Sequence, residues 1–278
     1  MARDGSWPPV PEALPAPIVD NHCHLEYPAG DEPTSVETRL AQAADAGVTR
    51  VVQIGCDLES ARWTADAVTR FPQLLGGVAL HPNDAAVLAA EGRYDEAFAE
   101  IAVLARGERI RVVGETGLDT FRTGPEGHDA QVRAFRDHIA LAKELGKPLQ
   151  IHDRDAHAEV IEILLADGAP DVTVFHCFSG HAAMARLAVA EGWYLSFAGT
   201  VTFKNNDPLR AAAAVTPASR MLVETDAPFL TPHPHRGKPG SPAMAAITAR
   251  TLAGVLGMDL EAFCTQIWDT SHDLYGAW

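Results

Sequence analysis

In Asp20-Asn21-His22-Cys23-His24 two imidazoles stand two residues apart. Side chains alternate along an extended chain, so His22 and His24 share a face and Cys23 takes the other. Two imidazoles so placed can bind one metal ion. The H-x-H spacing alone is also open to an accidental reading, and the rest of the chain decides between the two. Glu115 in Gly114-Glu115-Thr116-Gly117, His152 in Gln150-Ile151-His152-Asp153, His176 in Phe175-His176-Cys177 and Asp226 in Glu224-Thr225-Asp226 each follow a short apolar run. Each is a metal-capable side chain where a strand is expected to leave a sheet. Histidines and carboxylates buried without partners are costly, and shared metal ions remove that cost.

Four imidazoles and two carboxylates suit two divalent ions better than one, since a catalytic ion takes three or four protein ligands and keeps room for water. The assignment expected is His22, His24 and Asp226 on one ion, His152 and His176 on the other, and Glu115 bridging. Two ions held ~3.5–4 Å apart acidify a shared water and neutralise the attacking and leaving oxygens of a phosphodiester. Asp226 is placed to take the water's proton. Imidazole favours zinc, whereas carboxylate favours magnesium or manganese, so Mg2+, Mn2+ and Zn2+ all stay open.

The elements that must carry these groups follow from periodicity. Eight short runs, Ile18–Asn21, Arg50–Ile54, Leu74–Leu80, Ile110–Gly114, Pro148–Ile151, Thr173–Phe175, Trp193–Phe197 and Met221–Glu224, alternate with longer stretches of helical period. From His128 to Gly146, for example, Val132, Phe135, Ile139, Ala142 and Leu145 fall on one face. Gly146-Lys147-Pro148 stops that helix. The tail from Asp259 to Trp278 reads as one more. Such alternation implies parallel strands with crossover helices, and eight repeats favour a closed (β/α)8 TIM barrel over an open doubly wound sheet. In a parallel barrel all the named strand ends share one rim.

With 278 residues, 47% of them hydrophobic, the chain is long enough for one such barrel. Residues 1–17 are expected to be an extended, poorly ordered leader, because Pro8, Pro9, Pro11, Pro15 and Pro17 remove backbone donors. The barrel is expected over residues 18–278. No run of ~18 apolar residues is present to span a membrane, and the start lacks a secretory apolar stretch, which gives a cytoplasmic expectation. Cys23, Cys56, Cys177 and Cys264 form no C-x-x-C pair and read as buried free thiols. A formal net charge of −15 disfavours nucleic-acid binding through a broad basic surface. A nucleic-acid substrate would need cations concentrated locally, and divalent metals supply them.

The chain resembles the TatD family of metal-dependent deoxyribonucleases from about Ile18 to its C-terminus. The resemblance is carried by Asp20-Asn21-His22-Cys23-His24-Leu25, Gly114-Glu115-Thr116-Gly117-Leu118-Asp119, His176-Cys177-Phe178-Ser179-Gly180, Val201-Thr202-Phe203-Lys204-Asn205, and Glu224-Thr225-Asp226-Ala227-Pro228 continuing to Pro234-His235-Arg236-Gly237-Lys238. It implies a barrel of the metal-dependent hydrolase type, DNA as substrate, and the six ligands assigned above. It also implies a functional His81 in Leu80-His81-Pro82-Asn83, where Asn83 stands in place of a second family histidine. Arg122, Arg236 and Lys238 are candidates for phosphate contact. His128, His138, His157, His181, His233 and His272 have no such support and read as surface or helix residues.

One scaffold hosts many chemistries. Phosphodiester hydrolysis of DNA, from an end, leads; hydrolysis of an ester, lactone or amide, including a D-aminoacyl-tRNA ester, is the second class, and a non-catalytic metal-binding protein the third. No G-x-S-x-G, H-E-x-x-H, P-loop or G-x-G-x-x-G motif supports a serine hydrolase, zincin, NTPase or dinucleotide enzyme. No membrane or obligate protein partner is indicated.

Overall fold

The computed structural model describes residues 5–278. Eight strands, β1 (Ile18–Cys23), β2 (Val48–Gly55), β3 (Leu74–Val78), β4 (Ile110–Asp119), β5 (Leu149–Arg154), β6 (Thr173–Phe175), β7 (Tyr194–Phe197) and β8 (Met221–Val223), form one sheet in chain order. Between and after them run the helices α1 (Val36–Asp45), α2 (Leu58–Arg70), α3 (Pro82–Ala90), α4 (Tyr94–Leu104), α5 (Pro125–Leu145), α6 (His157–Asp167), α7 (Ala182–Ala190), α8 (Asp207–Ala214), α9 (Ala245–Leu256) and α10 (Leu260–Tyr275). Parallel strands in unbroken sequence order, each followed by a crossover, are the (β/α)8 barrel class expected. No single helix among the described residues is long and apolar enough to cross a membrane.

Local chemistry sets the helix ends. Asp57 caps α2 in a reciprocal box with Ser60, Gly146 ends α5 in the left-handed region at φ 60°, and Asp259 caps α10 by accepting from the amide of Ala262 at 3.0 Å. β1, β3, β6 and β8 are buried along their whole length because both faces of a parallel sheet are covered.

The chain divides into two compact units, Met1–Gln53 with Gly180–Trp278, and Ile54–Ser179. In the first, β1 pairs with β2 up to Cys23 opposite Gln53, and on its other side Cys23 bridges in parallel to Ala227 just beyond β8. Beneath this seam the buried Asn21 donates to Ser196 Oγ at 3.1 Å and accepts from the hydroxyl of Tyr275, which ties α10 to β1. In the second unit, β4 and β5 pair beyond the ends expected, from Thr116 opposite Ile151 to Asp119 opposite Arg154. Glu115 and His152 therefore lie within strands and not at their last residues. The glycines explain the extension: in Gly114-Glu115-Thr116-Gly117 they let β4 approach β5 so closely that a Cβ on Gly117 would sit 2.0 Å from the carbonyl oxygen of His152.

The leader is extended, as its prolines dictate, but residues 5–17 are held rather than loose. Asp31 donates its amide to the Gly5 carbonyl at 2.9 Å, Trp7 Nε1 donates to the Glu32 carbonyl at 3.0 Å, and Lys238 Nζ donates to Ser6 Oγ at 2.9 Å. Further along, Leu14 donates to the Ala46 carbonyl and Arg250 to the carbonyls of Glu12 and Ala13. The expectation for residues 1–4 lies outside the described residues. Cys23, Cys56 and Cys264 are buried, Cys177 is half-buried, and none of the four is in a disulfide.

Candidate metal centre

In the first unit, His22 and His24 leave the same face of β1 with ring centroids 5.0 Å apart. Asp226 reaches them from the end of β8. Its Oδ1 lies 3.3 Å from His24 Nε2 and 4.0 Å from His22 Nε2. Backbone pairing fixes this arrangement, since Asp226 donates to the His22 carbonyl at 2.9 Å and His24 donates to the Ala227 carbonyl at 2.7 Å. Asp226 itself has φ 56°, a left-handed conformation that aspartate tolerates better than most residues. Beneath the group, the buried Asp20 accepts from the Thr225 amide at 2.9 Å, the Thr225 hydroxyl at 2.6 Å and the His22 amide at 3.3 Å. Burial pushes the Asp20 carboxyl well above its ordinary range despite these donors. Its place is that of a staple between strand ends.

In the second unit, Glu115 is the hub. Its Oε2 lies 2.9 Å from His152 Nδ1, 2.8 Å from His176 Nε2 and 4.0 Å from His81 Nε2, while Oε1 accepts from Cys56 Sγ at 3.1 Å. The ligand atoms of Glu115, His152 and His176 all fall within 4.8 Å of one another, within reach of one ion whose bonds to nitrogen and oxygen run to about 2.0–2.2 Å. His81, Asp119 and His152 form a second such trio. His152 Nε2 is 3.4 Å from Asp119 Oδ2 yet is buried without a hydrogen-bond partner, so that contact is electrostatic. An orphaned imidazole nitrogen beside a carboxylate is a donor set suited to a cation, and the residues fit a divalent metal.

Electrostatics agree with a site built for positive charge. Burial opposes charge on His152, but Asp119 and Glu115 outweigh it and hold the imidazole above its ordinary value. At Asp119 burial works upward, yet His152 and the amides of Arg122 and Asn83 draw the carboxyl well below the usual range. His81 is pushed down to about 3 by burial, against the pull of Glu115. It is neutral, and because Nδ1 accepts from the Asn83 amide at 3.1 Å the proton sits on Nε2, facing Glu115.

Of the ten site residues expected, His22, His24 and Asp226 come together in one unit, and Glu115, His152, His176 and His81 in the other. Arg236 is exposed and stacks its guanidinium 4.4 Å over the ring of Phe203; Lys238 holds Ser6. Arg122 lends its amide to Asp119 Oδ1 at 2.8 Å. Asn83 donates Nδ2 to Asp119 Oδ2 at 3.1 Å and accepts from Thr123 Oγ1 at 2.6 Å, so it buttresses that carboxylate. Asp119 was not among the residues expected, although period two along β4 puts it on the face of Glu115 and Gly117. Cys56 was missed because a thiol near a carboxylate leaves no spacing signal. Of the histidines read as surface or helix residues, His138 lies on α5 and is fully buried, and the exposed His181 caps α7.

The model of TatD-related DNases matches residues 19–276. The chain is 42% identical to the uncharacterized metal-dependent hydrolase TatD of Mycobacterium tuberculosis, over 93% of this chain and 98% of that protein. It is 35% identical to the 3'-5' ssDNA/RNA exonuclease TatD of Cronobacter sakazakii, over 73% and 75%. Among solved structures, the TatD homologue YjjV of Escherichia coli superposes with a TM-score of 0.82 at 25% identity, covering 93% of this chain and 97% of that one.

Proposed function

The chain belongs to the family of TatD-related DNases and is a metal-dependent hydrolase, and from that premise we propose that it cleaves phosphodiester bonds of DNA from a strand end, in the cytoplasm. The observation that carries the proposal is the pair of ligand groups, each with the three side chains that a catalytic ion takes while keeping room for water. His22, His24 and Asp226 would hold one ion, and Glu115, His152 and His176 the other. Divalent ions held there supply charge neutralisation at the phosphate and a water acidic enough to act near neutral pH.

The rest falls to side chains. Asp226, as the acceptor, takes the proton of the attacking water on a carboxylate oxygen and is kept in place by the hydrogen bond that its backbone amide donates to the His22 carbonyl. His81 offers its Nε2 proton to a phosphate oxygen. Asp119 orients His152, and Asn83 and the Arg122 amide orient Asp119 in turn. Arg236 and Lys238 supply positive charge from the loop after β8, with Arg122 contributing from the loop after β4.

The similarity to a relative named as an exonuclease supports the phosphodiester substrate over a carboxylic ester. The test is metal-stripped protein re-supplied with Mg2+, Mn2+ or Zn2+ singly and assayed on end-labelled single- and double-stranded DNA beside ester, lactone and D-aminoacyl-tRNA substrates. Progressive shortening from one end is the expected result. Turnover of the esters with none of DNA would overturn it, and no turnover of anything at full metal content would leave a binding protein.

A further inference from the structure

Beside His24 stand two further rings. Tyr27, on the loop after β1, has its centroid 5.7 Å from that of His24, and Phe229, on the loop after β8, has its centroid 6.2 Å away. The two meet edge to face at 5.9 Å. Phe229 is held by a turn, its amide donating to the Asp226 carbonyl at 2.8 Å, yet it is 48% exposed. A phenyl ring left half in water three residues past the proposed proton acceptor buries little apolar area for the fold. Isolated exposed aromatics are ordinary, but this one belongs to a cluster that starts at a metal-ligating imidazole.

Charge around the cluster is equally uneven. The chain carries a net charge of −15, yet no Asp or Glu occurs between Asp226 and Asp259. That stretch holds Arg236 and Lys238, the first stacked on Phe203. The loop of Tyr27 carries Glu26, Asp31 and Glu32, whereas the ring of Phe229 lies beside a ligand group on a loop free of carboxylates and matches the requirements of a nucleotide: a ring to stack the base and cations for the backbone.

We propose that Tyr27 and Phe229 form a stacking platform for an unpaired nucleobase of the strand whose phosphodiester is held at His22, His24 and Asp226, an assignment that rests on the phosphodiester reading above. Every base offers a π-face, so the platform tolerates any sequence. A base inside a duplex is already stacked and hydrogen-bonded, so the platform favours single-stranded ends. Phe229 is the specificity-determining ring because it is the exposed one, and Tyr27 sets its angle.

The test is a double-mutant cycle between Phe229→Ala and an oligonucleotide that carries abasic sugars at its cleaved end. Wild-type enzyme with metal is first shown to degrade the normal oligonucleotide. Phe229→Ala is then expected to raise KM on that substrate roughly 5- to 150-fold, the range of one lost base-stacking contact. Abasic ends should cost the wild type a similar factor, and Phe229→Ala should cost less than about twofold more on the abasic substrate. Phe229→Trp should restore most of the lost affinity. Equal losses on normal and abasic ends, or no loss on either, would overturn the platform while leaving phosphodiester hydrolysis intact. A wild-type protein that degrades no oligonucleotide would defeat the phosphodiester reading itself, and the platform with it.

Discussion

Gly117→Ala tests how tightly the second ligand group depends on the β4–β5 approach. Gly117 has φ 143°, pairs with His152 across the two strands, and has no room for a side chain: an added Cβ would lie 2.0 Å from the His152 carbonyl oxygen, where ordinary contact begins at 3.4 Å. The obstacle is backbone and cannot rotate away. The strands must part by more than an ångström, or Gly117 must change conformation. Strain of this kind is worth about 1–3 kcal/mol, and each kcal/mol lowers Tm by about 2–4 °C in a chain this large. His152 moves with its own carbonyl, so its 2.9 Å contact to Glu115 opens. Displacing a catalytic group by ~1 Å costs on the order of 10²-fold in rate. The expected outcome is a folded protein with Tm lowered by several degrees by calorimetry, reduced metal content by mass spectrometry, and kcat on labelled single-stranded DNA down by about two orders of magnitude. Wild-type Tm and kcat would show that the close approach positions nothing.

Asp226→Asn keeps an oxygen ligand but cannot accept a proton near neutral pH, so turnover should fall ~10²–10⁴-fold with metal content reduced only in part; His24→Ala should lose metal and activity together. Arg236→Ala and Lys238→Ala should each flatten the salt dependence of single-stranded DNA binding by about 0.7 in log–log slope, measured by fluorescence anisotropy, and unchanged slopes would remove both from the phosphate site. His138 is buried and pushed down to about 4 by that burial, its Nδ1 donating to the Ala134 carbonyl and its Nε2 accepting from the Leu80 amide. The unfolded chain takes up a proton near pH 6.5 that the native state refuses until about pH 4, so this contribution is complete above pH 6.5 and is lost as pH falls between those values. Urea melts should show about 3 kcal/mol lost over that window, and His138→Gln should flatten it; an identical pH profile for the variant would assign the loss elsewhere.

The strands were legible because burial on both faces demands unbroken apolar runs, and those runs are short and well separated. Their chemical ends were legible in part. His22 and His24 share a face as a period of two requires without knowledge of neighbours, whereas the approach of Asp226 depends on the pairing of β1 with the end of β8. The length of β4 was not legible: glycines normally end a strand, whereas Gly114 and Gly117 here permit an approach that only the partner strand reveals. Asn83, which stands where the family resemblance has a histidine, braces Asp119, a role set by side chains 36 and 40 residues away in sequence. The composition of the leader speaks only of backbone freedom, while the contacts of residues 5–17 come from acceptors and donors on segments far along the chain. His138 lies on a helix as read, and its burial leaves no signal in the sequence because both ring nitrogens are satisfied inside the protein.

The course of the leader matters for anyone who handles the protein. Gly5, Ser6 and Trp7 rest against Asp31, Lys238 and Glu32, on the loops that follow β1 and β8 and also carry Tyr27 and Phe229. An affinity tag or fusion partner joined ahead of the chain is therefore tethered beside the loops proposed to meet nucleic acid. A polyhistidine tag there would add metal-chelating side chains and basic charge next to the groups whose metal content and salt dependence are to be measured. Cleaving such a tag, or comparing N- and C-terminally tagged preparations, separates the behaviour of the enzyme from that of its handle.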